Sequence, residues 1–238
     1  MKIEIKDLVI NYTEKGCGQP IIFLHGWGMN LHTFDKVSSF IDEDFKVYQI
    51  DLPGFGESDI KSGLDVDDYA TIINEFCLKL SIINPIIVGH SFGGRVAISY
   101  ASKYIIKKLI LISSPGIKDK FNLIKWLKIK VYKLLKKLSL KTNMGSIDYK
   151  NSMGFLKEVL VKAVNKDLKD EILKINVPTL LIYGKKDKTV RVKMGKKISN
   201  LIKNSSLITV DDAKHFPYIE RFRYFLIVFK SFLFSDNL

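Results

Sequence analysis

The run Ile86-Ile87-Val88-Gly89-His90-Ser91-Phe92-Gly93-Gly94-Arg95-Val96-Ala97 constrains this chain more than any other stretch. A β-branched apolar run enters a Gly-x-Ser-x-Gly turn, and a small-residue segment at helical spacing leaves it, so the order reads strand, tight turn, helix. Such a turn strains the backbone and lifts the Ser91 hydroxyl above the edge of a sheet. The flanking glycines are needed because a Cβ there would collide with the neighbouring strand or helix. Ser91 also falls at a helix N-terminus, where unpaired N–H groups and the helix dipole favour negative charge. Both features suit a nucleophile.

The flanking segments indicate the fold class. Residues 2–13 alternate apolar and polar like a hairpin, and residues 15–20 close it as a turn. Short apolar runs bounded by turn residues follow at 21–24, 45–50, 107–112, 177–184 and 207–210. Between two of them, Val66, Tyr69, Ile73, Phe76 and Leu80 fall on one helical face, with Asp65 or Asp67 as the cap. Strands alternating with helices predict right-handed βαβ units: an α/β fold with a mainly parallel central sheet and helices on both faces. The apolar run over 217–234 is interrupted by Glu220, Arg221, Arg223 and Lys230, so it reads as a C-terminal helix packed on the sheet and not as a membrane span.

The alternation breaks over 117–172, where helical patterns occur without a convincing strand, as expected of a helical insertion over a core formed by 1–116 and 173–238. Ile124, Leu127, Val131, Leu134, Leu135 and Leu138 share one face of it, with Lys125, Lys128, Lys133, Lys136 and Lys137 largely opposite. The formal net charge is +13, which lysine spread over every solvated face or an acidic partner would each account for. Packing on its own domain is the plainest reading of the basic stripe, an acidic protein partner the second and a membrane surface the third. The two cysteines have no framework spacing and suit a reducing cytosol. The N-terminus has no apolar signal core, so a cytoplasmic protein is expected. There is no phosphate-binding glycine loop and no Cys/His cluster with zinc spacing, so no cofactor, metal or nucleic acid is expected.

A serine hydroxyl is a poor nucleophile at neutral pH and needs a base within hydrogen-bond reach. The chain has four histidines, and only His215 follows the last strand, on the sheet edge where the turn at Ser91 also lies. His90 adjoins Ser91, but its side chain points elsewhere on a sharp turn; His25 and His32 read as structural. Asp187, after the strand over 177–184, is the carboxylate that would hold His215, with Asp211 and Asp212 as competing acids. Glycines after the strand over 21–24 leave the Trp27 N–H free as an oxyanion donor, and the Phe92 N–H is the second. Asp51 and Ser58 are expected to hold loop geometry.

Across His25-Gly26-Trp27-Gly28, Asp51-Leu52-Pro53-Gly54-Phe55-Gly56-Glu57-Ser58, Gly89-His90-Ser91-Phe92-Gly93-Gly94, Leu181-Ile182-Tyr183-Gly184-Lys185-Lys186-Asp187 and His215-Phe216-Pro217, the chain resembles the α/β-hydrolase family over nearly its whole length. The resemblance implies Ser91 as nucleophile, Asp187 and His215 as its partners, an oxyanion hole from Trp27 and Phe92, and residues 117–172 as a cap. A serine at the turn, where dehalogenase and epoxide-hydrolase relatives carry aspartate, implies ester hydrolysis through an acyl-enzyme. Within the family the chain looks most like the pimeloyl-acyl-carrier-protein methyl ester esterases of biotin synthesis. Those enzymes dock an acidic acyl carrier protein on the cap, which would give the Lys-rich stripe a purpose. Lys214 stands where the family usually has glycine, and Arg191 replaces a common proline. A serine carboxylesterase acting on a small-molecule ester is therefore expected. The alternatives are a carbon–carbon bond hydrolase of ring-cleavage products and a non-catalytic ligand-binding homologue.

Overall fold

A computed structural model of the chain describes residues 1–118 and 154–235. Strands β1 (Lys2–Ile5) and β2 (Leu8–Lys15) form the expected N-terminal hairpin. β2 also pairs antiparallel with β4 (Phe45–Ile50). The remaining neighbours are parallel: β3 (Gln19–Leu24), β5 (Ile86–His90), β6 (Lys108–Ile112), β7 (Thr179–Gly184) and β8 (Ser205–Val210). The eight strands lie in the order β1-β2-β4-β3-β5-β6-β7-β8, so β5 is central. The turn expected over 15–20 is shorter, because Gln19 and Pro20 already pair with Phe45 and Lys46. The last strand starts earlier than its apolar run, since Ser205 and Ser206 pair with Thr179 and Leu180.

The central strands read as unbroken apolar runs because both of their faces are covered. A short helix, α1 (Asp35–Ser38), follows β3. Ile22, Leu24, Ile87, Leu109, Leu111 and Leu181 bury one face of the sheet against α2 (Val66–Lys79) and α3 (Phe92–Ala101). Their neighbours Ile21, Phe23, Val88, Ile110, Ile112 and Leu180 bury the other face, against Phe225, Phe229 and Phe232 of the C-terminal helix. That helix is not continuous over 217–234. Arg221 leaves helical geometry (φ −133°, ψ 49°) and divides the run into Pro217–Glu220 and Phe222–Phe234. No helix among the described residues is long and apolar enough to cross a membrane.

Asp65 is the cap of α2: its carboxylate accepts from the N–H groups of Asp67 (2.8 Å) and Asp68 (3.0 Å), while Asp68 accepts from the Asp65 N–H at 2.7 Å. This is a reciprocal capping box with aspartate in the third position. Helices Phe155–Asn165 and Lys169–Leu173 fall where the insertion is expected, the second running one residue past its expected end at 172, and Val159, Ala163, Leu168 and Ile172 bury against the α2 and α3 face. Lys166 fastens this segment by pairing with both Asp67 and Glu171 (3.0 Å), and Arg95 Nη1 donates to the Lys166 carbonyl at 3.1 Å. The Lys-rich stripe expected over 124–138 lies outside the described residues.

Candidate active site

β5 delivers Ser91 at the centre of the sheet's C-terminal edge, and its backbone carries the strain the motif implies, with φ 49° and ψ −110°. The conformation is held by the Ser91 N–H donating to the Ile112 carbonyl at 3.0 Å and by the N–H groups of Gly94 and Arg95 returning to the Ser91 carbonyl. Two glycines allow the approach. A Cβ on Gly89 would lie 2.6 Å from the Gly93 carbonyl oxygen, and one on Gly93 would lie 2.2 Å from the Leu24 carbonyl oxygen. α3 can therefore start directly after Ser91, packed onto β3 and β5.

The loops after β7 and β8 bring the other two expected residues to the same point. His215 Nε2 lies 3.0 Å from Ser91 Oγ, and His215 Nδ1 lies 2.7 Å from Asp187 Oδ2. The other Asp187 oxygen accepts from the N–H groups of Thr189 (2.7 Å) and Val190 (2.9 Å), which fixes the carboxylate behind the ring. Burial pushes the Asp187 carboxyl up, but the hydrogen bond from His215 and the Val190 N–H outweigh it and leave it below the usual carboxylate range. With Asp187 ionised, His215 carries its proton on Nδ1 and offers the Nε2 lone pair to the serine. Asp211 and Asp212 turn away from the imidazole: they pair with Lys185 (2.6 Å) and Lys186 (2.7 Å).

The backbone N–H groups of Trp27 and Phe92, the two expected oxyanion donors, have no hydrogen-bond partner among the described residues. Phe92 is the first residue of α3, so its N–H has no acceptor within the helix. Above them Trp27 packs edge-on against Phe55 and Phe92, with centroids 5.0 and 5.2 Å away, forming an aromatic wall that the sequence did not single out as a unit. Phe55 belongs to the 51–58 loop, which Asp51 and Ser58 hold in shape. Asp51 accepts from Leu31 N (2.7 Å), Glu57 N (2.9 Å) and Asn11 Nδ2 (2.8 Å), and Ser58 Oγ donates to the Asp51 carbonyl at 2.6 Å.

The other histidines divide as read, with one addition. His32 is exposed beside Asp35. His25 is buried, with Nδ1–H donating to the Gly26 carbonyl (2.8 Å) and Nε2 accepting from Leu52 N (3.0 Å), which joins the loop after β3 to the loop after β4. Burial pushes its pKa down to about 4, against smaller opposing effects of the Gly26 carbonyl and Asp51. His90 does more than point away from the serine. Its Nε2–H donates to the backbone carbonyl of His215 at 3.0 Å, and its ring stacks among His215, Phe216 and Tyr218. Burial and the neighbouring His215 lower its pKa to about 3, so the clamp is neutral throughout the physiological range. Adjacency to Ser91 hid this role, because the acceptor lies 125 residues away in sequence.

Comparison with known proteins agrees with this architecture. The family model described as alpha/beta hydrolase fold matches residues 19–140 and 131–222. A pimeloyl-[acyl-carrier protein] methyl ester esterase of Wigglesworthia glossinidia brevipalpis is 30% identical, with 91% of this chain and 94% of that protein aligned. The AB hydrolase superfamily protein YisY of Bacillus subtilis is 28% identical, over 86% of this chain and 88% of its own length. Among solved structures, a bromoperoxidase from Bacillus anthracis superposes with a TM-score of 0.82 at 22% identity, covering 99% of each chain. With a sheet of this order, a serine on a strained turn after its central strand and a family match running over most of its length, the chain belongs to the alpha/beta hydrolase fold family.

Proposed function

We propose that the protein is a serine carboxylic ester hydrolase that works through an acyl-enzyme. The observation that carries this reading is the unbroken line of contacts from Ser91 Oγ to His215 (3.0 Å) and from His215 to the Asp187 carboxylate (2.7 Å). Ser91 Oγ attacks the ester carbonyl carbon as its proton passes to His215 Nε2. The imidazolium so formed is stabilised by Asp187 through Nδ1–H, and the oxyanion by the N–H groups of Trp27 and Phe92. Collapse of this intermediate breaks the C–O bond to the alcohol, which leaves with the proton from His215. A water that gives its proton to His215 then attacks the acyl-enzyme. Release of the carboxylic acid returns the proton to Ser91 Oγ.

The chemistry uses only side chains and backbone of this chain, and the aromatic wall of Trp27, Phe55 and Phe92 gives the acyl group an apolar surface. The finer reading is a methyl ester of an acyl chain carried on an acidic acyl carrier protein. It is supported by relatives of that name at 30% and 26% identity and by the basic charge of the chain. A cytoplasmic location fits its two free cysteines, one exposed and one buried.

Ser91→Ala removes the nucleophile while leaving the turn and its backbone hydrogen bonds in place. The expected result is a folded protein that does not turn over p-nitrophenyl butyrate and is not labelled by a fluorophosphonate, whereas the parent does both. Hydrolysis by the variant at the parent rate would refute the assignment, and a folded parent that fails to label would make the chain a binding protein.

A further inference from the structure

We infer that two copies of the chain associate through their β8 strands, laid antiparallel about a two-fold axis at Leu207. The outer strands of the sheet, β1 and β8, are finished differently. β1 alternates charged and apolar side chains, Lys2-Ile3-Glu4-Ile5, and Lys79 Nζ takes the Glu4 carbonyl at 2.5 Å. Charges of this kind keep a sheet edge from pairing. β8 reads Ser205-Ser206-Leu207-Ile208-Thr209-Val210, with no charge, proline or glycine, and it is half-buried as far as Thr209. No described strand pairs with its outer side.

Backbone parity decides how this edge can pair. The Thr179 N–H donates to the Asn204 carbonyl (2.9 Å) and the Lys185 N–H to the Val210 carbonyl (3.0 Å), so the even-numbered residues of β8 bond to β7. Ser205, Leu207 and Thr209 therefore direct their N–H and C=O groups outward. A two-fold axis at Leu207 centres all three: Ser205 exchanges both hydrogen bonds with Thr209 of the second copy, and Leu207 with its own counterpart. The same register brings Lys203 of each copy opposite Asp211 of the other. Lys203 is exposed and has no acidic partner among the described residues, while Asp211 is exposed and holds Lys185 at 2.6 Å. The edge is complementary to itself in backbone and in charge, and a strand of unrelated sequence would match only the backbone.

The helix Phe222–Phe234 adds apolar area beside this seam. Phe40 stacks on Phe222 and Lys230 donates to the Phe40 carbonyl, which leaves Tyr224, Ile227 and Val228 on the opposite flank, where Val228 and Ile208 pack on the same core cluster. Tyr224 and Ile227 are 49% and 69% exposed. With β1 guarded, each copy offers one free edge among the described residues, so the contact closes as a dimer and does not propagate. The paired strands run in opposite directions, so the two sheet edges that carry Ser91 point away from each other and neither site covers the other.

The test is sedimentation velocity between about 1 and 100 µM protein at about 0.15 M salt, where the repulsion of two chains of net charge +13 is screened beyond ~8 Å. The parent is expected to pass from its monomer mass of 27.2 kDa to twice that value as concentration rises. Thr209→Pro removes an outward N–H that β7 does not use and places a ring in the seam. It is expected to weaken association by about tenfold or more, with the parent's urea midpoint and its kcat/KM on p-nitrophenyl butyrate. An independent reading that does not touch the strand comes from the charges: Lys203→Glu and Asp211→Lys should each weaken the dimer by about threefold or more, and the two together should restore it. A parent that stays monomeric throughout would overturn the inference and leave the edge to a strand of another protein. A dimer indifferent to Thr209→Pro would overturn it too, as would charge reversals that show no recovery when combined.

Discussion

At the scale of single residues, the site depends on where a few polar atoms are held, and His90 is the least obvious of them. Its Nε2–H reaches the backbone carbonyl of His215, the proposed base, so it ties the His215 loop to the turn that carries Ser91. Replacing it by leucine keeps most of the volume but orphans that carbonyl and frees the loop. A misplacement of about 1 Å costs up to ~100-fold in rate, so His90→Leu is expected to lower kcat by about 10- to 100-fold with KM little changed. His90→Gln, whose amide can still donate, should recover most of it. Steady-state kinetics on p-nitrophenyl butyrate check this, and a folded leucine variant with the parent's kcat would show that the clamp is idle. That Ser91, Asp187 and His215 would come together was legible in sequence because each lies at or in the loop after the end of a strand that the apolar pattern reveals. The hydrogen bond from His90 was not, since local spacing says nothing about which distant carbonyl a buried ring will meet.

Elements were legible in proportion to how much of their signal is local. The parallel strands showed as apolar runs because both faces are buried, and α2 showed its start at Asp65 or Asp67, between which the structure selects Asp65, whose carboxylate and that of Asp68 satisfy each other's N–H within one turn. The C-terminal helix ends at Phe234, where its apolar run stops, but what caps that end was not legible, because it comes from another part of the chain. Lys108 opens β6, is buried, and directs its ammonium at the last carbonyls of that helix, 2.8 Å from Phe232 O and 3.1 Å from Leu233 O. It also donates to the Ser235 carbonyl, satisfying acceptors that a helix end otherwise leaves to water. In sequence the same residue is merely the second of two lysines that open the run over 107–112. Lys108→Met keeps the stem and removes the donor, so the carbonyls of Leu233 and Ser235 lose it while Phe232 O keeps the Ser235 hydroxyl at 2.9 Å, a cost of about 1–3 kcal/mol for each carbonyl left unpaired, less whatever water can reach. A loss of roughly 2 kcal/mol or more in urea unfolding is expected, with activity of the folded fraction unchanged. An unaltered unfolding midpoint would mean that the helix end is held by something else.

For the whole molecule, the two buried histidines make stability depend on pH well above the carboxylate range. His25 and His90 are neutral in the fold, with pKa values lowered to about 4 and about 3, while in the unfolded chain each returns to about 6.5. Between those limits the unfolded state binds more protons than the native one, so stability rises with pH across the window and is lost as pH falls from about 6.5 towards 4. Each group contributes about 1.4 kcal/mol per pH unit there, or ~2 kcal/mol between pH 6.5 and 5. Two such terms are a large share of the ~5–15 kcal/mol that holds a typical domain together. The depressed carboxyls of Asp67 and Asp187 act in the same direction but only at lower pH, since their ionised form persists until the usual carboxylate range has been passed. Acid destabilisation should therefore begin near pH 6, before any carboxylate is protonated. Urea unfolding at half-unit intervals from pH 7 to 5 is expected to show this slope, and His90→Gln, which cannot take up a proton, should reduce it by about one proton's worth. A slope identical in parent and variant would mean that His90 is already protonated in the native state. The clamp on His215 would then be built from a charged ring and not from the neutral one that its burial dictates.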